Sequence, residues 1–281
     1  MEIYTTKADT AAAVEKLRKE GKTIGFVPTM GALHRGHLSL MEKAKAENDI
    51  LAVSVFVNPI QFNNKADLEK YPRNLDKDIK LLEEVGCDIL FSPTSQEMYP
   101  EGEAIEKYDF GELERVMEGK YRPGHFNGVA VVVKRLFDIV SPHKAYFGEK
   151  DFQQLAIIKE LVKTEKLPVE IVPCATVREA GGLAMSSRNE RLTPQQRKEA
   201  SFIYETLQLA KKRKDDICPL PLKQMIYNIF DANENFKLEY FEIADEDTLK
   251  PVTAWGQTKK PRAFVAVWMN DVRLIDNISL I

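Results

Sequence analysis

At 281 residues, with 44% hydrophobic and 30% charged positions, the chain has the make-up of an ordinary globular protein, large enough for one big domain or two unequal ones. Forty Lys and Arg against 43 Asp and Glu leave a formal charge of −3, which removes the general attraction to phosphate backbones that nucleic-acid binders exploit and favours a small-molecule partner. Three widely spaced cysteines, Cys87, Cys174 and Cys218, exclude a disulfide framework and a cysteine-based zinc knuckle. They suit a reducing compartment. With no apolar run near the ~20 residues of a membrane span and no signal-peptide pattern at the start, the expectation is a cytoplasmic protein.

In chain order, residues 23–29 read as a first buried strand, 38–47 as an amphipathic helix and 50–57 as a second buried strand, together one βαβ unit. Residues 76–85 repeat the helical spacing through Ile79, Leu81, Leu82 and Val85; Gly86 stops it, and 88–92 read as a third strand. Residues 93–128, rich in Glu, Gly, Tyr and Pro, read as irregular surface structure with a mobile stretch at 120–128. After an apolar helix or strand at 129–140 come a short strand at 144–147, a helix at 151–163 and a last strand at 168–177. Thr193-Pro then opens a capped helix that runs to the basic stretch 211–214, read as a solvated helix end. A helix near 220–230 and strands at 238–243, 263–269 and 272–275 complete the chain. The expected fold class is α/β, a Rossmann-like parallel sheet with helices on both faces at 1–177, plus a smaller C-terminal α+β domain at 178–281.

The chemistry concentrates after the first strand. Pro28-Thr-Met-Gly-Ala-Leu-His34-Arg-Gly-His37 is a small-residue turn entering a helix, at the strand end where open α/β sheets collect ligands. Free N–H groups at a helix start suit an anionic phosphate. His34 and His37, three apart, would project to the same side, with Gly36 leaving room for a ligand. Zinc is the competing use of two histidines, but no third ligand lies nearby. His125 and His143 read as ordinary surface or core histidines.

The H-x-G-H spacing resembles the signature of the nucleotidylyl-transferase superfamily. Together with Val55-Phe-Val-Asn-Pro-x-Gln-Phe62, Tyr71-Pro-Arg73, Arg122-Pro-Gly-His-Phe126, Tyr146-Phe-Gly-x-Lys-Asp151 and Met185-Ser-Ser-Arg-Asn189, in the same order, it is similar to the pantothenate synthetase family from about residue 25 to 192, and the C-terminal ninety residues resemble that family only in size and texture. The resemblance implies an ATP-dependent ligase that joins pantoate to β-alanine through a pantoyl-adenylate, with Mg2+ accompanying ATP and a homodimer as the assembly. It also implies roles: His37 and His34 on the reacting phosphates, with Lys150, Ser186, Ser187 and Arg188 as catalytic partners. Met30, Gly31, Gly36, Phe147, Gly148, Glu149, Val177 and Met185 would complete the ATP site, and Gln61 and Gln153 would hold pantoate, Gln61 also β-alanine. An amide suits that task because it donates to a carboxylate and accepts from a hydroxyl.

The family commonly carries an acid where this chain has Gly181: if that acid only shapes the turn, Gly181 serves by taking a positive φ, whereas if it tunes loop closure or a neighbouring charge, activity is reduced, and Glu179 is not its equivalent in position. Magnesium ligands stay open, with Asp76 and Asp78 as candidates on a helix surface that would face water. No general base for the β-alanine amine stands out. Other readings of the scaffold are a nucleotidylyltransferase acting on a phosphorylated acceptor, a nucleotide-binding regulator without turnover, and a tRNA synthetase fragment; the last lacks a tRNA-binding module.

Overall fold

The computed structural model describes residues 1–281. It divides the chain into two compact units, one of residues 1–110, 122–149 and 154–175, the other of residues 111–121, 150–153 and 176–281.

The chain runs β1 (Glu2–Tyr4), α1 (Lys7–Lys19), β2 (Ile24–Thr29), α2 (Arg35–Glu47), β3 (Ile50–Val55), α3 (Lys65–Glu69), α4 (Leu75–Glu84), β4 (Ile89–Phe91) and α5 (Ser95–Met98). It continues through α6 (Met117–Tyr121), α7 (His125–Val140), β5 (Lys144–Gly148), α8 (Phe152–Thr164) and β6 (Glu170–Cys174). The six strands form one all-parallel sheet in the order β1-β4-β3-β2-β5-β6. Both faces are covered, which is why β2 and β3 are almost continuously apolar. Val27, Leu51, Val53 and Leu90 pack with Met41 and Ala44 of α2 and Leu82 of α4. Alternate residues turn the other way: Phe26 and Phe147 each meet the edge of Phe137 on α7.

Two local readings are corrected by the structure, and two elements are new. β1 and α1 carry no expectation above, because β1 is three residues at the sheet edge and α1 buries only Thr10 and Val14, too few to print a stripe. The 120–128 stretch is not a mobile loop. Gly124 takes φ +80 to start α7, and His125, Phe126 and Gly128 are buried in its first turn. The helix expected from Thr193 to the basic run is two helices, α9 (Pro194–Glu199) and α10 (Ser201–Arg213), meeting at buried Ala200.

The second unit adds α11 (Pro219–Asp231) and the strands β7 (Lys237–Asp245), β8 (Pro261–Met269) and β9 (Val272–Ser279), an antiparallel sheet in that order. α10 and α11 cover one face through Ile203, Leu207, Leu222, Ile226 and Phe230. The excursions 111–121 and 150–153 reach the same sheet. Tyr121 stacks on Tyr240, Phe152 meets the edge of Phe264, and Arg262 lies over the Phe152 ring. The nearly unbroken apolar run of β8 is the sequence trace of this double cover.

Candidate active site

Chain order in the first sheet reverses at β2, which has β3 on one side and β5 on the other. The carboxyl ends of β2 and β5 therefore flank the switch point where open α/β sheets bind ligands. β2 delivers the H-x-G-H turn and β5 ends at Gly148, followed by Glu149 and, next in the chain, Lys150.

The turn is built unusually tightly. Gly31 has φ +76 and Ala32, though not glycine, φ +49. The left-handed conformation costs an L-residue about 1–2 kcal/mol. What sustains it is Asp78, 1% exposed, whose two carboxylate oxygens accept the N–H groups of Ala32 (2.9 Å) and Leu33 (2.7 Å). A Cβ on Gly31 would stand 2.8 Å from the same carboxylate, so the position requires glycine. One expectation is corrected here: Asp78 does not face water. Asp78 lies four residues before buried Leu82 on α4, the spacing that could have placed it on the inner face.

His34 and His37 do share one side, with ring centroids 4.0 Å apart, and they cap the helix reciprocally. His34 Nδ1 accepts the Gly36 N–H at 3.1 Å, and His37 Nδ1 accepts the His34 N–H at 3.3 Å. Because a backbone amide can only donate, both Nδ1 atoms act as acceptors and the proton of each neutral ring sits on Nε2. Both rings thus carry a donor on Nε2.

Beside the turn lies a buried amide cluster. Gln61, 8% exposed, accepts from Asn58 Nδ2 at 3.0 Å and donates through Nε2 to Met30 Sδ at 3.1 Å. A thioether is a weak acceptor, so that N–H is readily surrendered to a carboxylate. Asn58 also donates to Gly128 O and accepts from Tyr99 Oη at 2.7 Å; burial, slightly offset by Arg135, raises the Tyr99 hydroxyl well above its ordinary value and keeps it a donor. His125, read above as an ordinary histidine, accepts from Arg122 on Nε2 (3.0 Å) and so donates from Nδ1 to Gln61 O (2.9 Å). Asn58, Arg122 and His125 are contributors that the sequence reading did not single out. The only signal was their place inside the quoted motifs.

In the second unit Lys150 has a side chain 17% exposed and 3.7 Å from Asp151, while its carbonyl accepts from Asn277 Nδ2. Gln153 is bound to backbone groups. It is 4% exposed, its Nε2 donates to Leu113 O (2.7 Å) and Val116 O (2.9 Å), and its Oε1 accepts the Glu118 N–H. Both of its N–H bonds are spent on the 111–118 backbone, leaving acceptor capacity on Oε1 alone. Phe147, expected beside the nucleotide, buries its ring against Phe137.

The Met185-Ser-Ser-Arg segment is half-buried to buried, with Ser186 capping the turn by accepting the Arg188 N–H (3.3 Å) and the Met185 N–H bound to Val177 O (3.0 Å). The preceding loop closes through Gly182, not Gly181. Gly182 has φ +92 and faces the Tyr204 ring, whereas exposed Gly181 lies outside the left-handed region and a Cβ there meets only Ser201 at 3.5 Å. Glu179 is engaged by Arg197 Nε (2.7 Å) and Asn189 Nδ2 (2.9 Å), and Arg178 by Asp276, a carboxyl that burial raises above its ordinary value against the pull of Arg178. For magnesium the donor set is poor: no group of three His, Cys, Asp or Glu gathers anywhere.

Against this geometry, a family model for pantoate-beta-alanine ligase matches residues 2–279. The chain belongs to the pantoate-beta-alanine ligase family. The pantothenate synthetase of Christiangramia forsetii (strain DSM 17595 / CGMCC 1.15422 / KT0803) is 53% identical over 281 residues, covering 100% of this chain and 99% of that one. That of Flavobacterium psychrophilum is 49% identical with 100% of each covered. Among solved structures, the Thermus thermophilus pantothenate synthetase superposes with TM-score 0.93 at 43% identity, covering 100% and 99%. The Francisella tularensis ligase, complexed with beta-gamma ATP and beta-alanine, superposes with TM-score 0.83 at 39% identity, covering 100% and 98%. The chain is accordingly an ATP-using ligase that joins pantoate to β-alanine.

Proposed function

We propose that the H-x-G-H turn at the switch point is where ATP is split, with the pantoate carboxylate as nucleophile. The observation that carries this reading is the paired Nε2–H donors held at the carboxyl end of β2. In the first half-reaction a carboxylate oxygen attacks the α-phosphorus, the bond to the bridging oxygen breaks, and pyrophosphate leaves with the electron pair. Catalysis then consists of positioning and of donors preorganised for the growing charge. His34 and His37 supply two such donors. Lys150 adds a point charge, while Ser186, Ser187 and the Arg188 fork suit the β- and γ-phosphate oxygens.

Gln61 takes the pantoate carboxylate by giving up Met30 Sδ, and Gln153 Oε1 accepts from a pantoate hydroxyl. Met30, Gly31, Gly36, Gly148, Glu149, Val177 and Met185 line the nucleotide, with Phe147 contributing only its backbone. In the second half-reaction the neutral β-alanine amine attacks the acyl carbon and AMP departs. Mg2+ would accompany the triphosphate and offset its charge; the chain offers it no preformed cage of three His, Cys, Asp or Glu. The 178–281 part acts as a lid, the assembly is a homodimer and the location is the cytoplasm.

Pantoate-dependent exchange of labelled pyrophosphate into ATP tests the reading. Exchange without β-alanine, and AMP release only with it, is the expected result. A stable adenylylated product, or ATP binding without exchange, would overturn it.

A further inference from the structure

Asp78 belongs to α4, far in sequence from the reacting histidines, yet each of its oxygens accepts an N–H of the turn that presents them. The Ala32 and Leu33 N–H groups converge on one carboxylate as a backbone concavity converges on an anion, except that the anion is the protein's own. Immediately downstream, the His34 N–H is the donor that fixes His37 Nδ1, and His34 Nδ1 is fixed by Gly36. A turn that relaxed at Ala32 would rotate the His34 peptide and release that bond.

We infer that Asp78 is a positioning residue for the ligase reaction: by clamping the left-handed Gly31–Ala32 turn it holds the reciprocal His34–His37 cap, and with it the Nε2–H tautomer and aim of both rings. The inference rests on the reading of the histidines given above and adds how they are set.

Asp78→Asn keeps the shape and replaces one acceptor with a donor facing a donor. Turnover should fall about 10- to 100-fold, the scale of a small misplacement of reacting groups, with KM for ATP changed less than about 3-fold. In long-range 1H–15N spectra of ligand-free protein, the His34 and His37 signals should leave the Nε2–H pattern while those of His125 and His143 stay. Adding Ala32→Gly, which makes the turn accessible without the clamp, should recover about 3- to 10-fold of the loss.

The inference is overturned by near-normal turnover, by loss of turnover with both histidine signals unmoved, or by a raised Mg2+ requirement, which would make Asp78 a metal ligand. Should Asp78→Asn not fold, the wild-type spectra decide, since an Nδ1–H tautomer at either His34 or His37 is incompatible with the cap. The spectra need no turnover, so absence of pyrophosphate exchange would count against the ligase chemistry and leave the clamp separately testable.

Discussion

At the scale of single residues, the site depends on imidazoles doing two jobs at once. Nδ1 of His37 holds the backbone and Nε2 is the donor offered to substrate, so His37→Ala removes both a cap and a charge-stabilising group. Turnover should drop about 10²- to 10³-fold, the usual scale for one oriented donor, with circular dichroism unchanged; near-normal kcat would refute the role. The loop before Met185 gives a second test. Gly182→Ala should destabilise by about 1–2 kcal/mol in denaturant titrations, from the positive φ alone, and further through the Tyr204 ring. Gly181→Asp, restoring the acid common in the family, should lie within about 0.5 kcal/mol of wild type because the position is exposed and uncrowded. The sequence showed that an acid was absent there but not which glycine the turn needs, since φ belongs to the closed loop and not to the residue type.

At the scale of elements, short segments far apart in the chain are locked by buried charge. Glu118 on α6 receives Arg273 of β9 through two bonds (2.8 and 2.7 Å) and the Tyr240 hydroxyl at 2.8 Å. Burial opposes the Arg273 charge, but its two carboxylate partners, Glu118 and Glu239, raise it above its ordinary value; burial and Glu118 likewise raise Tyr240. Both remain protonated. Removing one partner strands the other, so Glu118→Ala should cost about 3 kcal/mol in the unfolding of the second unit, while a loss under about 1 kcal/mol would mean that Glu239 suffices. A gentler dependence exists where β2 begins. His143 accepts the Ile24 N–H on Nδ1 at 3.0 Å, and burial, then Arg18, lowers its pKa below 6.5. A folded-state value below the unfolded one adds stability that is present above about pH 6.5 and fades as pH falls below it. The melting temperature should therefore decline on acidification from about pH 7, and His143→Gln should flatten that decline.

At the scale of the whole molecule, a ligand that binds only the folded protein adds to its stability. ATP at about 100 times its Kd should stabilise the protein by about 2.7 kcal/mol. His37→Ala and Arg188→Ala should each diminish that protection in thermal unfolding; an unchanged shift in either variant would remove that residue from the nucleotide site. The sequence by itself determined much here. Apolar runs of strand length alternating with helical stripes announced a parallel sheet with helical crossovers, the change of texture after residue 178 announced a second fold type, and H-x-G-H with its companion motifs announced the family, because each signal is carried by neighbours within one element. Only the tertiary structure decided the rest. That Asp78 clamps the turn, that Gln153 spends its N–H bonds on the 111–118 backbone, that His125 backs Gln61, and that 111–121 and 150–153 belong with the C-terminal sheet are all pairings across long sequence separations. Periodicity records whether a side chain is buried, and burial alone does not name the partner that a polar group must find there.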